Sequence, residues 1–220
     1  MSPAFNKASA ITRSLLGWGV VAGPFYVIVG LILALTRPGF DLTKHALSLL
    51  MLGEWGWMQR VNLIISALMV LAAACGLYRA VRSGRGLAMA VLVAVFGVCL
   101  VLSAIFPPDP VDGFPLGATA QATTNGILHL VFGAIGFLAL AGAAFAYAGW
   151  CRAESTGPVW LGIVLGAVIV VGFVGGAALA MVPAGVGLLW LAVLAGWLWL
   201  ALASARIYRW VPHPVTGVRA

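Results

Sequence analysis

The chain has 220 residues, of which 63% are hydrophobic and only 8% charged, with a formal net charge of +7 at pH 7. Soluble domains carry about 25% charged residues, so the composition excludes an ordinary soluble protein and points to a polytopic membrane protein. The basic residues are scattered at the ends of apolar runs rather than gathered in a patch. That pattern fits membrane topology and argues against nucleic acid as a partner.

About 20 apolar residues are needed to cross the hydrocarbon core as a helix. Six runs qualify, at about 14–36, 57–80, 86–106, 125–150, 159–182 and 185–208. The first follows Lys7 and Arg13 as a signal peptide would. Its length, and the lack of a small-residue cleavage site after it, predict a retained transmembrane helix. The fold class expected is all-α: one domain, a bundle of six transmembrane helices.

The first connection reads DLTKHALSLLMLGEWGWMQR. A short amphipathic helix is expected from about Thr43 to Met51, with His45 and Ser48 on one face; the alternative is a surface connector with His45 exposed. The second helix opens with Gln59, Asn62 and Ser66, which lie within about 60° of one another. Such a stripe should face protein or a cavity, not lipid. The third helix ends at Pro107 and Pro108, which force an extended exit. Asp109 follows at once, Asp112-Gly113 reads as a turn, and Thr123 or Thr124 can cap the fourth helix. Asn125 and His129, four apart, are expected to share a face, with His129 about one turn inside the boundary.

The fifth helix carries Gly162-x-x-x-Gly166 and Gly172-x-x-x-Gly176, a spacing that lets helix backbones approach closely. It predicts tight packing within the chain, or a homodimer through this helix. Cys75, Cys99 and Cys151 form no CxxC pair and read as small core residues.

Nine of the twelve basic residues fall at the termini and in the second and fourth connections. The other side holds Arg37, Lys44 and Arg60 with Asp41, Glu54, Asp109 and Asp112. By the positive-inside rule both termini are expected in the cytoplasm, with the first and third connections outside. His45, Ser48, Gln59, Asn62, Asp109, Asp112, Asn125 and His129 then all map to the outer third. The inner two-thirds hold almost no ionisable side chains, which argues against a proton or ion wire. A pocket opening to the outside or to the outer leaflet is expected instead.

Three chemistries fit such a pocket. Two histidines and one or two aspartates could hold Zn²⁺, with His45, Asp109, Asp112 and His129 as candidates. Their spacing matches no zinc signature, so no cofactor is expected. A hydrolase could use Ser48, His129 and Asp109, but Ser48 lacks a nucleophile-elbow context. A hydrogen-bond network could tie the first and third connections to the second and fourth helices, or grip a polar head group above an apolar cavity.

The runs KHALSLLMLGEWGWMQRVNLIISALMVLAAACGLYRAV and FPPDPVDGFPLGATAQATTNGILHLVFGAIGFLAL carry a further signal. Their elements His45-x-x-Ser48, Gly56-Trp57, Gln59, Asn62, Gly76-Leu77, Asp109-Pro110, Gly113-Phe114-Pro115 and Gly126-x-x-His129 resemble the DUF998 family of bacterial and archaeal membrane proteins. The resemblance covers about residues 44–147 and implies a six-helix integral protein of a cytoplasmic (inner) membrane, with polar motifs in these segments. It carries no catalytic assignment. The functional expectation is an outward-facing pocket for a lipid or amphipathic small molecule, with membrane lipids as partners. The alternatives are a metal-assisted hydrolase or transferase acting on a lipid or cell-envelope substrate, and a structural partner subunit.

Overall fold

The computed structural model describes residues 5–180 and 182–219. Six helices run through it: α1 (Lys7–Thr36), α2 (Gly56–Ala80), α3 (Gly84–Ile105), α4 (Thr124–Ala153), α5 (Val159–Ala178) and α6 (Pro183–Trp210). All six are long and apolar enough to cross a membrane. Their outward faces are rich in exposed Ile, Leu and Val, such as Ile28, Ile32, Leu68 and Val171, as lipid contact requires.

The boundaries follow local chemistry. α1 starts seven residues before the expected span because Asn6 caps it: the Ser9 amide donates to its side chain at 3.0 Å. α5 stops at Ala178, short of the expected 182. Pro183 occupies the first turn of α6 and holds Val182 extended, which ends the run of helical backbone.

The helices form a closed ring in which each packs on its sequence neighbours and α6 returns to α1. Every adjacent pair meets at a glycine where a Cβ would crowd the neighbour: Gly76 on Leu16, Gly97 on Leu71, Gly136 on Cys99, Gly162 on Ala148, Gly172 on Ala192, and Gly23 on Trp197. In lipid, association is driven by such close packing rather than by apolar burial. The four glycines noted on α5 are all buried against α4 and α6 of the same chain, so the face they form is already covered. Cys99 and Cys151 are buried, but Cys75 is exposed. It lies on the side of α2 turned away from the ring, a correction to its reading as a core residue.

The two ends of the ring differ. At the terminal end the Asn6 amide donates to the Pro214 carbonyl at 2.8 Å, so both chain ends lie together. Leu16, Leu77, Met89, Tyr147, Trp199 and Leu200 are fully buried in the core of this half. The distal end carries the first and third connections.

The first connection is not the expected helix from Thr43 to Met51. It holds a 3-10 helix over Leu47–Met51 only. The Asp41 side chain accepts from the Thr43 amide at 2.8 Å and the Thr43 hydroxyl at 2.6 Å. This local turn competes with helix for the same backbone. His45 therefore precedes the helical segment and does not share a helical face with Ser48.

Candidate functional site

A cavity of about 740 Å³ occupies the distal half of the ring. Its deep wall is aromatic. Tyr26 meets Trp197 at 5.2 Å between centroids, Phe96 meets Trp197 at 5.7 Å, and Phe137 stacks on Phe173 at 4.9 Å. Its mouth is polar, with Lys44, Ser48, Asp109, Asp112, Gln121 and His129. The walls also include Leu130 of α4, which is 70% exposed, and the exposed Ala180 before α6.

His129 is positioned by the end of α3. Pro107 has no N–H, so the Ser103 carbonyl lacks its normal helical partner. The His129 ring supplies one. Its Nδ1 lies 3.2 Å from the Ser103 oxygen and 2.9 Å from the Phe106 oxygen. Carbonyls only accept, so Nδ1 carries the proton and Nε2 keeps a lone pair. Among the described residues Nε2 has no partner. The side chain is 9% exposed and lines the cavity.

Asp109 closes the mouth against the start of α4. Its carboxylate accepts from the Thr123 amide at 3.0 Å and the Thr123 hydroxyl at 2.6 Å. The Thr123 oxygen in turn caps α4, accepting from the Gly126 amide at 3.1 Å. A carboxylate at a helix N-terminus is also favoured by the helix dipole. A Cβ at Gly126 would overlap the Asp109 carboxylate. This is why glycine stands at the start of the Gly126-x-x-His129 motif.

His45 lies outside the cavity. It is 2% exposed, so the exposed-connector alternative does not hold. The Asp41 amide donates to its Nδ1 at 2.9 Å, which leaves Nε2–H facing the Asp112 carbonyl at 3.3 Å. Phe40 and Phe114 flank the ring at 5.2 and 5.3 Å. Asp112 takes φ +50° and Gly113 φ +76°, a left-handed turn that presents this carbonyl. His45 thus fastens the first connection to the third. The Asp41 carboxyl sits below its ordinary pKa because the Thr43 hydroxyl and amide both donate to it.

Gln59 and Asn62 are buried behind Tyr26. The Asn62 Nδ2 donates to the Tyr26 carbonyl at 3.1 Å and to Gln59 Oε1 at 3.0 Å. Gln59 Nε2, Asn62 Oδ1 and Ser66 Oγ are buried with no partner among the described residues. Asn125, expected beside His129, is exposed and lines nothing. The two are close in helical angle, but the first turn of α4 stands clear of its neighbours at Asn125.

Of the eight residues singled out in the sequence, Ser48, Asp109, Asp112 and His129 line the cavity, while His45, Gln59 and Asn62 fasten the helices and loops around it. Among the described residues no three His, Cys, Asp or Glu side chains gather as a metal site needs. Nor is there a Ser48–His129–Asp109 relay: two carbonyls, not Asp109, hold the His129 Nδ1, and Nε2 meets no hydroxyl. Sequence reasoning missed Ser103 and the aromatic wall. The Ser103 carbonyl was signalled by Pro107 four residues on. The wall was not, since aromatic residues also abound on the lipid side.

The fold and the cavity together define a multi-pass helical membrane protein with a one-sided chamber. The chain belongs to the DUF998 family: its model, described as a protein of unknown function, matches residues 20–206. No curated protein and no solved structure matches the chain.

Proposed function

We propose that the protein binds one lipid or similar amphipathic molecule in the distal cavity, with the tail against the aromatic wall and the head at the mouth. The single observation carrying this reading is the division of one cavity into an apolar depth and a polar rim. Its volume falls within the range of small-molecule sites, about 300–1,000 Å³. The exposed Leu130 and Ala180 in its walls support sideways access from the membrane. The lone pair of His129 Nε2 and the Asp109 and Asp112 carboxylates favour a head group bearing hydroxyl or ammonium donors. The charge asymmetry of the connections supports a mouth on the outer face of a cytoplasmic membrane.

Gly133 provides the test. It lines the cavity, and a Cβ there meets nothing within 4 Å. Gly133→Leu should project a side chain into the chamber and obstruct a ligand there, leave the melting temperature unchanged and cut copurifying lipid severalfold by mass spectrometry. Equal lipid in variant and wild type would overturn the reading. A hydrolase or transferase has one group in its favour, the unpaired His129 Nε2, and the same sample tests it. A lipid product that accumulates with wild type but not with His129→Gln would support that alternative.

A further inference from the structure

We infer a second site, at the terminal end, that takes the phosphate group of an anionic phospholipid. It is independent of the distal cavity. A smaller hollow of about 230 Å³ lies where α1 begins, α2 ends and the chain leaves α6. Three arginines line it: Arg79 and Arg82 from the end of α2, and Arg219 from the C-terminal segment. Ser9 and Thr12 of α1 supply hydroxyls from the opposite wall.

The hollow is built rather than incidental. The Arg79 Nε donates to the Thr12 oxygen at 3.1 Å, which fixes its guanidinium. The Thr12 hydroxyl proton is already committed to the Ala8 carbonyl at 2.8 Å. The Arg219 guanidinium lies 4.5 Å from the centroid of the Trp210 ring, a cation–π contact that holds it in place. The Arg13 Nη1 donates to the Val211 carbonyl at 2.8 Å, tying the C-terminal wall to α1. The terminal Nη groups of Arg79, and all of Arg82 and Arg219, have no hydrogen-bond partner among the described residues.

Charge balance gives the occupant. No Asp or Glu lines the hollow, and the one ion pair among the described residues, Lys44–Asp41, is at the other end. The three arginines are exposed on this face, and an anion shared between their guanidiniums would relieve their mutual repulsion. Planar guanidinium forks suit phosphate oxygens. The surroundings favour a lipid phosphate over a free one. Tyr78 and Ile11 beside the site are exposed apolar surface, and Trp210 and Tyr208 mark the depth at which aromatic residues meet head groups. Basic hollows between helices at this face suit anionic lipid heads.

The experiment uses the full chain in nanodiscs. Phosphatidylglycerol is titrated into a phosphatidylcholine background, with inorganic phosphate as a separate arm, and thermal stabilisation is followed. Arg82→Gln removes a group that makes no hydrogen bond, so melting in pure phosphatidylcholine should not change. Arg219→Gln also loses the Trp210 ring contact, so its response is read against its own melting in pure phosphatidylcholine. If Arg82→Gln does change that melting, Arg82→Lys, which keeps the charge, serves as the second variant and should restore the response. The expected result is phosphatidylglycerol stabilisation of the wild type that weakens about fivefold for each arginine removed. Equal stabilisation by inorganic phosphate at matched concentration would assign the site to a free phosphate and overturn the lipid source. An identical phosphatidylglycerol response in wild type and variants would overturn the site.

Discussion

His129 does two jobs with two nitrogens. Its Nδ1 closes carbonyls that Pro107 and the end of α3 leave open, while its Nε2 is left to the cavity. His129→Ala should therefore cost about 1–3 kcal/mol, the range for stranding buried polar groups, measured by thermal or denaturant unfolding in detergent. Gly126 and Asp109 form one unit in the same way. Gly126→Ala should destabilise through the clash with the carboxylate. Adding Asp109→Ala should then cost less than it does in the wild type, because it also removes the clash. A double-mutant cycle reads this directly. On α2 the orphan hydroxyl and the paired amide should part company. Ser66→Ala should leave stability unchanged or raised, whereas Asn62→Leu should lower it by about 1–3 kcal/mol by stranding Gln59 Oε1. Asp41 carries a pH dependence. Its folded pKa is depressed, so its contribution is complete above the ordinary value of about 3.9 and is lost as pH falls through the lower folded value. Compared with Asp41→Asn, the wild type should lose its advantage only in that acid window, read by melting temperature against pH.

The elements were legible wherever apolar length alone decides them. Six helices follow from six runs, and the Thr123 cap and the proline exit of α3 follow from residue chemistry at their ends. The connections were not legible to the same degree. The first one reads as an amphipathic helix because Leu42, Ala46, Leu49 and Leu50 offer one side to bury opposite His45 and Ser48. What sets its shape is the Asp41 turn and a ring contact with a residue 67 positions away, the Asp112 carbonyl that faces His45. No local pattern encodes that. The same contact makes the two connections a single unit. Phe114, 1% exposed beneath Phe40 and His45, anchors it. Phe114→Ala should cost about 3–5 kcal/mol, and hydrogen exchange should rise in both connections together rather than in the third alone.

Ring closure is a property of the assembled helices. The sequence announces the four spaced glycines of α5, and Gly19-x-x-x-Gly23 of α1 repeats their spacing, but Gly76, Gly97 and Gly136 stand apart from one another on three different helices. They become a system only when neighbouring helices are in place. The candidate site divides similarly: the polar rim was visible as rare polar residues in an apolar chain. The aromatic depth was hidden among the many aromatic residues that face lipid. The packed core of the terminal half has one more consequence. A chamber that stops at mid-depth, against Phe96, Leu140 and Trp197, would give the lipid proposed above access from only one monolayer. With that lipid as its occupant, the protein is expected to respond to transbilayer asymmetry: moving the same lipid to the opposite monolayer would empty the chamber without changing the total amount in the membrane.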